Sequence, residues 1–380
     1  MSSSDAKTHP NSSRLTELKV ALVHDSITVD GGAERALTEI HQLFPNAPIY
    51  TPLYRSELFP QFKDADIRPS SLNRFAYARN HHMLFIPLLP YFMEQFDLSE
   101  YDLVISDSSA VAKGVITRPD TLHICYCHTP MRWAWLPDLD KRASSSWLRR
   151  IVSHYLRIWD VASSNRVDVF YGNSRTSAAR VKKYYRRGAD FIYPPVEVET
   201  IKPSYDNDGY YLTVGRLVPK SNKRSEIIVD AAIKTGIKLK VVGTGPLLPE
   251  LKRVSRDHNN IEFLGYVSDQ KRDELYAKCK AFIFASEEDA GIVPVEAMAY
   301  GKPVISYSKG GAAETVIDGK TGLHFNEPTA DSLALAIQEI EDMKFDIDAI
   351  ANHAQKFSAT RFRDHFMSEV VKQVEIWRQV

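Results

Sequence analysis

Glu288 and Glu296 stand with seven residues between them, in a segment from Ser286 to Ile305 that follows the apolar run Ala281 to Ala285. Gly291 permits close backbone approach, and Pro294 suits the first turn of a helix. The N–H groups near Ile292 and Val293 would then point at an anion, as free helix-start amides do. The pattern predicts a diphosphate seat. Glu288 would lie in the loop beside the group to be transferred, and Glu296, one short turn into the helix, would accept hydrogen bonds from a ribose. Asp289, Gly291, Ile292 and Val293 join them as substrate-binding candidates. Solvated glutamates are the plain alternative, because acids favour the start of a helix.

A second anion site is suggested between Tyr211 and Arg224, where Arg216 and a nearby lysine, Lys220 or Lys223, leave the end of a strand pattern. When a bond to a diphosphate breaks, fixed Arg and Lys donors aimed at the new negative charge lower the barrier and replace a metal. A basic surface turn is the other reading of the same residues. In the first half, Gly31 and Gly32 lie between an opening strand and a helix, where backbone amides would reach a sugar or phosphate. Two glycines there also serve as ordinary punctuation. His128 follows the run Leu122 to Cys127 and precedes Thr129-Pro130, where a strand delivers side chains into a cleft. A lone histidine is more often structural, but this position makes His128 a sugar-contact candidate.

These residues need strands that end beside helix starts, and the chain supplies two rounds of that rhythm. The first has strand patterns at Lys19 to His24, Leu103 to Ser106, Leu122 to Cys127 and Val167 to Asn173, with helices such as Glu34 to Leu43 and Trp147 to Asn165. Pro194, Pro195, Pro203 and Gly209 mark the stretch from Tyr193 to Tyr210 as a linker. The second round has strands at Tyr210 to Val214, Leu239 to Val242, Ile261 to Leu264, Ala281 to Ala285 and Pro303 to Ser306. The expected plan is a polar, disordered lead over 1–17, one domain over 18–196, a second over 197–360, and a helix over 361–380 packing back on the first. Doubly wound sheets bind ligands beyond the carboxyl ends of their strands, so a cleft between two such domains would hold two substrates away from water.

The bulk properties narrow the field. Lys plus Arg equals Asp plus Glu at 48 each, so no overall field draws the chain to nucleic acid. Three cysteines, at 125, 127 and 279, give neither a disulfide framework nor zinc spacing, and a reducing cytosol is the simplest setting. The most apolar stretch, Met83 to Met93, is far short of the ~20 residues that span a bilayer, and Pro87 and Pro90 break it. Arg79 to Tyr91 joins a basic start to apolar residues and could touch the bilayer or a lipid acceptor; Lys182, Lys183, Arg186 and Arg187 form a basic helix end that could meet anionic lipids. Loop packing and a solvated helix face are the respective alternatives.

In this order the pieces resemble retaining glycosyltransferase family 4. The likeness runs through Gly31 to Arg35, Cys127 to Arg132, Asn173-Ser-Arg175, Pro194-Pro-Val196, Val214 to Pro219, Gly243-Thr-Gly-Pro246, the Glu288 to Glu296 segment, Gly310 to Thr315 and Asp318 to Gly322. The resemblance implies an α/β chain of GT-B fold, two facing Rossmann-like doubly wound domains with an interdomain cleft. It also implies a metal-independent hexosyltransferase without a cofactor. Carried over residue by residue, it places Glu288 near the donor sugar, Glu296 on the ribose, and Arg216 and Lys223 on the diphosphate, with His128 and Gly32 contributing from the first domain. Gly243 joins the substrate-binding set. The subtype resembles mannosyltransferases of surface polysaccharide assembly, with GDP-mannose as donor and a saccharide or lipid-linked acceptor at the inner face of the membrane. A UDP-sugar donor, or sugar-nucleotide binding without catalysis, is the alternative.

Two departures from the family pattern stand out. Ala290 occupies a position where the family usually has an aromatic residue. The stretch from Arg216 to the lysine is longer by two residues, and Lys223 is preferred over Lys220 because Lys223-Arg224 resumes the pattern. A dehydrogenase reading of Gly243-Thr-Gly-Pro-Leu-Leu248 lacks the third glycine, where Leu248 stands. Asp-X-Asp triplets at 138, 206 and 346 follow no strand pattern that would support a metal-dependent transferase.

Overall fold

The computed structural model describes residue 15 and residues 17–29, 31–136 and 147–379. Most of the expected N-terminal lead and the Asp138-Leu-Asp140 triplet lie outside these residues. Among the described residues the chain forms two compact units, each built on one parallel sheet.

The N-terminal sheet holds β1 (Val20–His24), β2 (Ile49–Thr51), β3 (Ile67–Pro69), β4 (Leu103–Ser108), β5 (Leu122–Cys127), β6 (Val169–Gly172) and β7 (Asp190–Phe191), in the order β3-β2-β1-β4-β5-β6-β7. The runs β4 and β5 are buried along their whole length, as strands covered on both faces by helices must be. Helices α1 (Gly32–Leu43) and α2 (Trp147–Ser164) belong to this unit. The C-terminal sheet holds β8 (Tyr210–Val214), β9 (Lys238–Val242), β10 (Ile261–Gly265), β11 (Ala281–Phe284), β12 (Val304–Tyr307) and β13 (Gly322–Phe325), in the order β10-β9-β8-β11-β12-β13. Its helices include α3 (Asp269–Lys278) and α4 (Ile292–Ala299). In each sheet the winding reverses once, between β1 and β4 and between β8 and β11. Those two carboxyl-end crevices are where such sheets take ligands.

β2, β3, β7 and β13 were not expected from the sequence. β2, β3 and β7 span three residues or fewer, too brief to show a period, and the four residues of β13 include Gly322 and His324. No regular element lies between β7 and β8, where only an isolated bridge joins Val196 to Ser358.

The last helix, α5 (Ala359–Trp377), completes the core of the N-terminal unit. Phe362, Phe366, Met367, Val370 and Val374 recur at helical spacing and are buried with residues of β1, β4 and β5. Tyr126 receives the edges of Phe362 and Phe366 at centroid distances of 5.6 and 5.9 Å. Tyr171 donates its hydroxyl to Glu369 at 2.9 Å, and Arg363 pairs with Glu39. The helix therefore packs on β5 and bonds to β6, the strands that lead to His128 and Asn173. Phe366→Ala should remove about 3–5 kcal/mol of stability, as aromatic truncations in filled cores do. Urea unfolding followed by tryptophan fluorescence measures this, and a loss under about 1 kcal/mol would show that the helix is not part of the core.

Candidate active site

In the C-terminal unit, the loop leaving β8 and the loop leaving β11 meet at the point of reversed winding. A pocket there is lined by Gly215, Arg216, Lys223, Ser225, Ala285 and Ser286, among others. Arg216 is exposed, and no described residue bonds its guanidinium. Lys223 forms an ion pair with Glu288, and both side chains are mostly buried.

Four further bonds lock the two loops together. Asn222 Nδ2 donates to the Glu287 carbonyl at 3.1 Å, and the Glu287 amide donates to the Asn222 carbonyl at 3.2 Å. Arg224 donates to the Glu287 carboxylate at 2.7 Å and to the Ala285 carbonyl at 3.1 Å, and lies 4.5 Å over the Tyr307 ring. Arg224 holds φ at 49°, in the left-handed region that costs a side-chain-bearing residue of order 1 kcal/mol or more. Its bonds offset that cost, so Arg224 anchors the loop while Lys223 is presented to the pocket.

The glutamate loop rests on the segment after β12. Gly291 has φ 65°, and a Cβ there would stand 2.7 Å from the Ala312 amide nitrogen. A Cβ on Gly310 would lie 2.5 Å from the Glu288 carbonyl oxygen, and one on Gly311 would lie 2.5 Å from the Asp289 carbonyl oxygen. The Gly311 amide donates to the Glu288 carbonyl at 2.7 Å. Helix α4 starts directly after Gly291, which gives no side-chain bond to the first-turn amides of Ile292 and Val293. Positive dipole is thus left at this end of the helix. Glu296, on the same helix, accepts a hydrogen bond from the Tyr276 hydroxyl of α3 at 3.2 Å, and Tyr276 stacks on Tyr300 at 5.7 Å.

In the N-terminal unit the strand ends carry a buried polar row. His24 ends β1, Asp107 is the penultimate residue of β4, His128 follows β5 and Asn173 follows β6. Asp107 bonds His24 Nδ1 at 2.9 Å with one oxygen and His128 Nε2 at 2.5 Å with the other. Glu34 of α1 lies 3.7 Å from His24 Nε2, and Asn173 Nδ2 is 3.5 Å from His128 Nδ1. Burial alone would lower the His24 pKa, but the carboxylates of Asp107 and Glu34 outweigh it and raise it to about 10. Burial would likewise raise Asp107, and the two histidines instead hold it at about 2. His128 is also raised by Asp107 against burial, but the charge on His24 opposes it. Both rings are pushed toward the protonated form, His24 with Glu34 and His128 with Asp25 as the second carboxylate nearby. Next to this row, Asp25 accepts the amides of Val111 and Ala112 at 2.6 Å each and fixes the turn after β4.

The family described as Glycosyl transferases group 1 matches residues 197–358, almost the whole C-terminal unit and the site just described. Residues 197–358 thus form a group 1 glycosyltransferase domain. It is 24% identical over 334 residues to the alpha-1,3/1,6-mannosyltransferase ALG2 of Dictyostelium discoideum, covering 73% of this chain and 77% of that one. A GDP-mannose-dependent alpha-(1-6)-phosphatidylinositol monomannoside mannosyltransferase of Mycobacterium tuberculosis is 33% identical over 196 residues, covering 42% of this chain and 51% of that protein. Among solved structures, Anabaena Alr3699/HepE in complex with UDP and glucose superposes with a TM-score of 0.66 at 20% identity, covering 93% of this chain and 99% of that chain. Sucrose-phosphate synthase from Thermosynechococcus elongatus gives 0.68 at 17% identity, covering 94% and 99%. These likenesses establish the GT-B fold.

Within the glycosyltransferase, Arg216, Lys223, Glu288 and the start of α4 come together around the β8 and β11 ends. Lys220 is exposed and is not part of the pocket lining. Gly243 serves a backbone contact: a Cβ there would collide with the Gly215 carbonyl, so the glycines at 243 and 245 let two loops touch. Gly31 has an extended backbone that any residue adopts, which removes the conformational reason expected for it; a Cβ there would instead meet Glu34 Oε2 at 3.1 Å. Arg187 bonds the carbonyls of Ser164, Val167 and Asp168 and is committed to the fold rather than to a basic surface. Among the described residues, no three His, Cys, Asp or Glu side chains are grouped to hold a metal ion.

Sequence reasoning missed His24, Glu34, Asp107 and Asn173 as a set. Their signal was position: each except Glu34 stands at the end of an apolar strand run. The His24 share of stability is complete below its ordinary value of 6.5 and is lost as pH rises through about 10. The Asp107 share is present above 3.8 and is lost as pH falls through about 2. Asp107→Asn should therefore lower stability at neutral pH and flatten its decline between about pH 7 and 10, seen as urea midpoints across that range. An unaltered slope would remove Asp107 as the partner that charges His24.

Proposed function

We propose that the chain is a retaining hexosyltransferase that moves mannose from GDP-mannose to a saccharide or lipid-linked acceptor. The observation that carries this reading is the convergence of Arg216, Lys223 and Glu288 beside the start of α4. A sugar and its leaving phosphate are joined through one bond. A carboxylate for sugar hydroxyls and a cation for phosphate oxygens must therefore be neighbours, as Glu288 and Lys223 are. The names of the mannosyltransferase relatives support the sugar, and the GDP-mannose dependence named for the mycobacterial proteins supports the base.

In this mechanism Arg216 and Lys223 receive the diphosphate, whose charge grows as the bond to the sugar breaks. The amides of Ile292 and Val293 add the helix dipole to the same oxygens. Glu288 orients the sugar, and Glu296, steadied by Tyr276, accepts from the ribose hydroxyls. The acceptor hydroxyl attacks from the face that the diphosphate leaves, and a departing oxygen takes its proton. No enzyme nucleophile is required, since Glu288 and Glu296 lie on one loop and helix and cannot flank the bond from two sides. With two cations in place of a metal, transfer proceeds in EDTA. We assign the acceptor to the polar row of strand ends around His128.

Transfer from GDP-mannose, with UDP-hexoses in parallel, measures this directly. Lys223→Ala should lower kcat by about 10²–10³, the usual effect of losing one donor to developing charge. Glu288→Ala should abolish transfer while GDP still binds by calorimetry. Undiminished turnover in either variant, or turnover that requires an added divalent metal, would contradict the mechanism; turnover with UDP-hexoses alone would reassign the donor.

A further inference from the structure

Helix α2 carries a face that no described part of the molecule covers. Trp147, Leu148, Ile151, Tyr155 and Ile158 are between 48% and 71% exposed. At 3.6 residues per turn these positions fall within about 100° of arc, a continuous apolar stripe along the helix. The opposite side is buried: Leu156 packs in the unit's second core, and Asp160 is fully enclosed with Lys113. The stripe is thus not the core-facing side of an amphipathic helix. It is a second apolar side.

A neighbouring segment has the same character. Phe75, Tyr77, Leu84 and Tyr91 are between 60% and 66% exposed. The two elements are joined, since Trp159 of α2 donates its indole N–H to Glu94 at 2.8 Å, and Val152 and Trp159 share a core with Phe85 and Ile86. Isolated exposed apolar residues are ordinary, but nine on two adjoining elements form a patch of the kind that marks an interaction surface.

Charge selects the partner. From 147 to 164 the chain carries Arg149, Arg150, His154 and Arg157, and its single acid, Asp160, is buried in bonds to Lys113, Trp135 and Tyr185. From 75 to 94 it carries Arg79, His81 and His82, and its single acid, Glu94, is held by Trp159 and by Arg166 at 2.7 Å. Neither segment offers an acid that is not already engaged within the fold. Exposed aromatic and aliphatic side chains interleaved with arginines fit the boundary between headgroups and acyl chains. No helix among the described residues is long and apolar enough to cross a membrane, so the contact is with the surface.

We propose that the exposed face of α2, together with the adjoining segment Phe75–Tyr91, docks the enzyme onto a bilayer that carries anionic lipid headgroups. The aromatic and aliphatic side chains enter the headgroup layer and the exposed Arg150 meets lipid phosphates, while Arg79 and Arg157 also hold the Asn73 and Ala134 carbonyls within the fold. This surface is separate from the donor chemistry and does not rest on it. It extends the surface expected from Arg79 to Tyr91 to a helix that the sequence marked only as a helix.

The test is flotation of the full-length chain with vesicles of phosphatidylcholine alone and with roughly 30% phosphatidylglycerol, a composition with a strongly negative surface potential. The wild type should float with the anionic vesicles. The triple variant Leu148→Ser, Ile151→Ser, Ile158→Ser should partition about tenfold or more weakly, since each exposed aliphatic contributes to interfacial binding. Its melting temperature and its GDP affinity should match the wild type, which keeps loss of docking distinct from misfolding and from failure of the donor reading. Wild type left unbound by anionic vesicles would overturn the proposal, as would a triple variant that floats equally well. A concentration-dependent dimer in sedimentation equilibrium, lost in the triple variant and accompanied by no vesicle binding, would assign the face to a second copy of the chain instead.

Discussion

The backbone of residues 288–290 lies against Gly310 and Gly311 so closely that a single Cβ on either glycine would meet a carbonyl oxygen at 2.5 Å. Such contact between two loop backbones leaves neither loop room to drift, and the Gly311 amide bonded to the Glu288 carbonyl fixes their register. The direction of the Glu288 side chain follows from this, and so does the start of α4 immediately after Gly291. The second loop is fastened in turn, because Asn222 and Arg224 bond the backbone and side chain of Glu287. Loops at the carboxyl ends of a parallel sheet are ordinarily the adaptable part of the fold. Here glycine contacts and one strained arginine make them rigid, which is what precise placement of a cation and a carboxylate requires.

The N-terminal unit solves a related problem with charge. Its strand ends bury two histidines, an aspartate and an asparagine, a costly set unless every member is paired. One carboxylate bridges both rings, and Glu34 adds a second negative charge beside His24. The His24 cation then fixes the Asp107 anion, and Asp107 orients the His128 ring by bonding its Nε2. His128 is therefore a positioned side chain rather than a loose one, although the groups that position it lie on strands far apart in sequence.

Much of this was legible before any coordinates. The strand ends that carry the site are apolar runs of four to six residues, bounded by turn residues, and helices of regular period separate them. Glu288, Gly291 and Glu296 were recognisable because a loop and a helix start impose local spacing. What could not be read depended on contacts across the sheet. Asp107 lies one residue beyond the run recognised as a strand, and nothing local distinguishes it from a solvated turn acid. Arg224 and Lys223 are adjacent cations in one basic turn, yet one is spent on holding the loop and the other lines the pocket. Gly310 and Gly311 were noted only as part of a family pattern, and their reason, a backbone lying over each of them, is wholly tertiary. The shortest strands escaped notice because two or three residues carry no period.

In the proposed reaction Arg216, Lys223 and the first amides of α4 together receive a nucleotide diphosphate. A crystal structure of the full chain with GDP tests it most directly. Phosphate oxygens should then lie within hydrogen-bonding distance of the Arg216 guanidinium, of Lys223 Nζ and of the Ile292 or Val293 amide, with the ribose on Glu296. A diphosphate bound elsewhere, with Arg216 left in solvent and Lys223 touching no phosphate oxygen, would contradict it.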